Sequence, residues 1–161
     1  MLTADLLRAI FQAIVTSHVA DVAFYPVWSN ALDKSEQHVW PRVYWKQPTV
    51  GMDVDTSIPQ IRNTYQVSFS VLGQVASDRA AGEVVAKHSE MAALASMFIA
   101  RFADLYIFDT TSYQGVEIDV TMTGAPTLQP VWDAENMATG VIVTFTLSDN
   151  RNTPCFDDYF A

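Results

Sequence analysis

The sequence predicts an α+β fold, a two-layer sandwich in which two helices cover one face of a mainly antiparallel, four-stranded sheet, in the order α-β-β-α-β-β. Three observations lead there. Two windows carry apolar residues at helical spacing. Four others alternate apolar and polar residues with a period of two. The strands alternate instead of running apolar throughout, which favours an antiparallel sheet with one covered face.

The first helix is expected from about Ala4 to Ser17. Thr3 offers a hydroxyl to a free amide of the first turn, and Asp5 suits the positive end of the helix dipole. Leu6, Leu7, Ile10, Phe11, Ile14 and Val15 form a wide apolar stripe, with Arg8 and Gln12 off it. In the following stretch, FYPVWSNALDKSEQHVWP, Pro26 and Pro41 forbid a central strand and Asn30 and Asp33 suit turns. PRVYWKQP, residues 41–48, reads as a short strand with Val43 and Trp45 on one face, and VGMDVDTSIP, residues 50–59, as a loop. Ile61 to Gly73 is the second strand: Tyr65, Val67, Phe69 and Val71 alternate with Gln66, Ser68 and Ser70.

Asp78 is the expected cap of a long second helix, about 79–104, with the seam Val84, His88, Met91, Ala95, Phe98, Phe102 and Leu105. In GVEIDVTMTG, residues 115–124, Val116, Ile118, Val120 and Met122 face in while Glu117, Asp119 and Thr121 face out. Pro126 and Pro130 make 125–138 a loop. The final strand is TGVIVTFTLSDN, where Val141, Val143, Phe145 and Leu147 share one parity. Residues 1–150 then form one domain, and 151–161 a tail with an aromatic and acidic end.

A chain of 161 residues, half of them hydrophobic, can bury a sizeable core unaided. No apolar run reaches the length of a membrane span, and MLTADLLRAIFQAIVTSH does not read as a signal peptide, because Asp5, Arg8 and Gln12 interrupt it. The one cysteine, Cys155, allows no intrachain disulfide or cysteine-rich zinc site, and points to a reducing cytoplasm. A net charge of −9 opposes phosphate binding through a basic patch.

Little in the sequence looks catalytic. His88 lies in an apolar seam and reads as a core or interface histidine; His18 ends a helix and His38 sits in a polar loop, with no metalloprotease spacing between them. Glu117 and Asp119, at i and i+2 on a strand, point the same way and could together hold a hard cation. A small metal-dependent hydrolase is therefore one rival reading, although any solvated strand carries such residues. The aromatic residues Tyr25, Trp28, Trp40, Tyr44, Trp45 and Trp132 cluster in or beside loops. They can complete a core, anchor a subunit interface, or form the pocket of a monomeric binding module.

The order of PRVYW, NTYQVSFSVLGQ, the helix SDRAAGEVVAKHSEMAALASMFIARF and the strand DAENMATGVIVTFTLSDN resembles the tail terminator and head–tail joining (tail completion) proteins of tailed bacteriophages, over about residues 1–150. The resemblance implies a structural virion protein with no catalysis and no cofactor. It implies a ring, commonly a hexamer, at the neck or the head-proximal end of the tail, built in the host cytoplasm during viral tail assembly. Its partners would be copies of itself, the tail tube and the neck or connector proteins, and DNA would pass through the lumen without specific binding. Acidic side chains suit such a lumen, and the candidates are Asp53, Asp55, Asp157 and Asp158. Candidates for subunit contacts are Trp28, Trp40, Trp45, Met52, Ile58, Phe156, Tyr159 and Phe160, with the 50–59 loop and the 151–161 tail reaching neighbours.

Overall fold

The first element, α1 (Ala4–Thr16), starts where its capping chemistry allows. Thr3 is extended and its Oγ1 accepts from the Leu6 amide at 3.1 Å in a computed structural model, which describes residues 2–26, 40–58, 60–76 and 81–151. Leu7, Ile10, Phe11, Ile14 and Val15 are buried, so the predicted stripe is the buried face.

Five strands form the main sheet, in the order β1 (Ala23–Tyr25), β2 (Arg42–Asp55), β3 (Gln60–Gln74), β7 (Ala138–Asp149), β6 (Val120–Asp133). The expected four strands in the order α-β-β-α-β-β are corrected to five in this sheet, with α-β-β-β-α-β-β-β-β along the described chain, and the mainly antiparallel sheet is mixed: β1 runs parallel to β2, pairing Ala23–Tyr25 with Arg42–Tyr44. At three residues β1 is too short to show a period, and Pro26 follows it. A second, two-stranded piece joins β4 (Ser112–Tyr113) to β5 (Val116–Glu117) through Gln114 and Gly115, both at positive φ. Paired positive-φ residues match the twist that a tight hairpin needs.

Two prolines mislead the reading of β6. The expected loop at 125–138 is strand as far as Asp133, and only 134–137 turns. β6 is an edge strand, so a missing N–H on its outer side breaks no ladder. Pro126 falls in a bulge between Thr123 and Thr127, which Gly124 opens at φ 74. The inward set nevertheless holds, with Ile118 and Val120 buried and Glu117, Asp119 and Thr121 exposed.

The second helix, α2 (Ala81–Tyr106), buries Met91, Leu94, Ala95, Phe98, Phe102 and Tyr106. The predicted seam stepped by 3.5 residues, whereas a straight helix turns every 3.6. The buried face therefore drifts off Leu105 and onto Tyr106, and Val84 and His88 are only half-buried. The expected cap, Asp78, lies outside the described residues.

Both helices cover one face of the sheet, α2 over β3 and β7 and α1 over β2 and beside α2. Phe11 sits at the centre, its ring 4.8 Å from Phe102, 5.1 Å from Trp45, 5.6 Å from Phe69 and 5.9 Å from Phe145. Gly140 permits the close passage of β7 against β3, since a Cβ there would lie 1.8 Å from the Val71 carbonyl oxygen. His88 meets the same place from the helix side, its Nδ1 2.9 Å from the Gly140 oxygen. The opposite face of the sheet presents Gln66, Ser68, Thr144, Thr146, Thr123 and Thr127, and a small apolar group of Tyr44, Leu72 and Ala138.

Candidate interaction surface: a projecting hairpin arm

β2 is 14 residues long, so the expected loop at 50–59 is instead mostly strand, and only 56–58 turns. The reason lies at Gln47 and Pro48. The register shifts between Lys46 and Thr49, so two residues of β2 there face one of β3. A bulge of this kind absorbs a proline and lets the strand resume.

The bulge also reverses the parity of everything after it. Before it, Trp45 lies opposite Phe69; after it, Val50 lies opposite Tyr65 and Val54 opposite Ile61. Directly opposed residues share a face, so Val50, Met52, Val54 and Ile61 stand on the helix-covered side. Gly51, Asp53 and Asp55, opposite Thr64, Arg62 and Gln60, stand on the other.

β7 pairs with β3 only as far as Thr64, which lies opposite Ser148. Beyond that row β2 and β3 continue alone, as a two-stranded arm. The last cover is Tyr65, whose hydroxyl donates to the Leu2 carbonyl at 2.6 Å beside the start of α1. From this row outward apolar residues are exposed to differing degrees: Val50 51%, Met52 63%, Val54 58%, Ile58 60% and Ile61 37%. Asn63, opposite Met52, interrupts this side on the β3 strand, and apolar side chains exposed together in this way are a feature of interaction surfaces.

The tip is built to hold its shape. Asp55 Oδ1 accepts from the Ser57 hydroxyl at 2.6 Å, the Ser57 amide at 2.9 Å and the Ile58 amide at 3.4 Å. The Ser57 hydroxyl contributes most to holding this carboxyl below the usual aspartate range, followed by the two amides. An arm ordered in advance loses less entropy when it docks.

Of the predicted contact residues, Met52 and Ile58 lie on this arm. Trp45 is corrected: it is fully enclosed in the core, stacked on Phe69 and tilted against Phe11, and offers a neighbour no surface. Trp40 is half-buried on the sheet face away from the helices, with the Arg42 guanidinium 4.1 Å above its ring. Asp53 and Asp55 are exposed on the polar side of the arm. Trp28, Phe156, Asp157, Asp158, Tyr159 and Phe160 lie outside the described residues. Val50, Val54 and Ile61 went unnoticed. The signal was there, because VGMDVD alternates at period two, but Pro48 was read as the end of the strand.

The carboxylates of the hydrolase reading are engaged in holding the end of β7. Glu117 Oε2 pairs with Arg151 at 2.8 Å. Asp119 accepts from Asn150 twice, at its side chain from Nδ2 (2.8 Å) and at its carbonyl from the backbone amide (2.9 Å). Among the described residues no three His, Cys, Asp or Glu side chains are grouped to hold a metal ion, and no helix is long and apolar enough to cross a membrane. No protein-family model matches the chain, and no curated protein matches it in sequence.

Proposed function

We propose that this chain is a structural component of a tailed-phage virion, assembling into a closed ring at the head–tail junction or the head-proximal end of the tail. The observation that carries the reading is the arm: a pre-ordered hairpin that extends the sheet and exposes Met52 and Val54 beyond the helical cover, next to the exposed Val50 at its base. A surface of this kind suits protein contacts. Six copies are expected from the resemblance, with the tail tube and neck proteins as neighbours and DNA passing through the lumen. The exposed Asp53 and Asp55 lie on the polar side of the arm, where they could face such a passage. Acidic groups there would repel phosphates and let DNA slide.

Native mass spectrometry and negative-stain microscopy of the purified chain, alone and with isolated tail tubes, test this reading. Rings, or caps on the tubes, are expected for the wild type and not for Met52→Asp/Val54→Asp. Rings that form equally well in that variant would remove the arm from the assembly and with it the support for the proposal.

A further inference from the structure

Resting on the ring reading, we infer that the outer edge of β2 in one copy, at residues 49–52, pairs backbone to backbone with the outer edge of β6 in the next, at residues 120–123. The sheets of neighbouring copies then join around the ring. These two strands bound the sheet along most of its length. β1 pairs with β2 only at Arg42–Tyr44, and among the described residues no strand lies beyond β6.

A proline fixes which residues of these edges turn outward. Pro130 has no N–H to give Val141, its partner on β7, so it sits in a row of the non-bonded kind: Pro130 turns its carbonyl outward and Val141 turns its polar groups toward β3. Alternation carries this along the ladder. Even-numbered residues of β7 turn to β6, as the Asn150 amide does in meeting the Asp119 carbonyl at 2.9 Å. On β6 before its bulge, Thr121 and Thr123 therefore turn inward, and Val120 and Met122 turn outward. On the other side, Val71 and Tyr65 of β3 turn to β7. Val50 and Met52, opposite Tyr65 and Asn63, then turn their N–H and C=O groups away from the sheet.

The two edges match along their length. Val50, Tyr65, Leu147 and Met122 form one row across the sheet, and Gly51, Thr64, Ser148 and Thr121 the next. Copies related by rotation about an axis along the strands keep strand direction and row level. β2 of one copy then runs antiparallel to β6 of the next, with Val50 level with Met122 and Met52 level with Val120. Opposed residues share a face, and these four point to the helix-covered side, so the exposed Val50 and Met52 gain apolar neighbours. Further along, the rows that β1 occupies on β2 lead to Gln129, Pro130 and Val131 on β6. There Pro130 withholds the outward N–H, and the bulge between Thr123 and Thr127 turns the strand aside. Open stretch therefore meets open stretch, and the guarded stretch of β6 falls where β2 is already paired. The joint stops at Met52, since one row further Asp53 would face Asp119, two like charges directly opposed. β2 and β6 are different edges of one chain, so the contact is head-to-tail and closes when the rotation allows.

A proline at an outward position breaks no bond within the chain and removes one between chains. Met52→Pro and Met122→Pro are each expected to keep native circular dichroism and to sediment as monomers of 17.9 kDa. Mixed in equal amounts, they are expected to give a species of twice that mass and nothing larger, because one intact edge of each kind remains. Trp132→Pro, outward on the guarded stretch, is expected to assemble as the wild type does. In parallel, Val50→Cys/Met122→Cys is made in a Cys155→Ser background. Within one chain these positions lie three strand spacings apart, about 14 Å at ~4.8 Å each. Across the joint their Cα atoms come within about 5.5 Å, the reach of a disulfide, so mild oxidation is expected to link chain to chain. Rings that form equally well in Met52→Pro or Met122→Pro, rings lost in Trp132→Pro as well, or thiols that link no chains while the wild type forms rings, overturn this pairing and leave the ring reading standing. A wild type that stays monomeric at every concentration, with no link between the introduced thiols, overturns both.

Discussion

The body of the sheet and the arm display the same pattern on the same side. In the body, Val67, Phe69, Val143 and Phe145 meet α1 and α2 and are shut off from water. Val50, opposite Tyr65 at the edge of the body, and Met52 and Val54 in the arm continue that side and are more than half exposed. Nothing in the residue types separates the two sets. The helices end and the strands do not, and that mismatch in length leaves core pattern exposed to solvent. Alternation along a strand therefore reports which side will be covered, and is silent on whether the cover belongs to the same chain.

The contrast can be broken most severely in the body. Phe11→Ala removes the ring at the centre of five aromatic side chains, Phe11 itself with Trp45, Phe69, Phe102 and Phe145. A loss of about 3–5 kcal/mol is expected in urea denaturation, where large-to-small core changes fall. Gly140→Ala comes next, because its new Cβ would meet the Val71 carbonyl. The strands must part, at a cost of about 1–3 kcal/mol or more, seen as a lower thermal midpoint. Thr3→Ala, which leaves the Leu6 amide without its capping oxygen, is expected to cost about 1 kcal/mol.

The arm should behave in the opposite way. Met52→Asp/Val54→Asp is expected to change stability by no more than about 0.5 kcal/mol per site, as exposed substitutions do, while self-association is lost. A large destabilisation there would mean that the arm's apolar side is covered within the chain, and the distinction between the two regions would collapse.

The smallest effect concerns the tip. The folded carboxyl of Asp55 is held below its ordinary range by Ser57 and Ile58. A lowered folded value means that its contribution is fully present above the unfolded aspartate range and is lost as pH falls through the folded one. The chemical shifts of the Ser57 and Ile58 amides, followed by nuclear magnetic resonance, are expected to hold steady at neutral pH and to move together in acid, as Asp55 is protonated and releases them. In Asp55→Ala that acid step should be absent. Wild-type shifts that show no such step would mean that the carboxylate does not hold the turn.

Much of this molecule is legible in the residues alone. Helical spacing locates α1 and its Thr3 cap, and period-two alternation locates β3 and β7, because these elements carry their pattern in unbroken local runs. Prolines are where the reading strays. Pro48 suggested that β2 ends, and Pro126 and Pro130 suggested that β6 does. A proline forbids only one ladder bond, and whether that bond is needed depends on which strand lies alongside. Trp45 shows the same gap from another side, since an aromatic residue next to a proline-rich stretch looks like an interface until Phe11 and Phe69 close around it.

Sequence by itself thus determined the two-helix, α+β character of the protein and the side of each strand that avoids water, because both follow from spacing along the chain. Tertiary structure alone decided the order of the five strands, the parallel seat of β1 and the reversal of parity at the Pro48 bulge. It also decided that the β2–β3 ladder outruns its helical roof. Those features depend on which distant segments lie side by side, and contacts between distant segments leave no period in the local sequence.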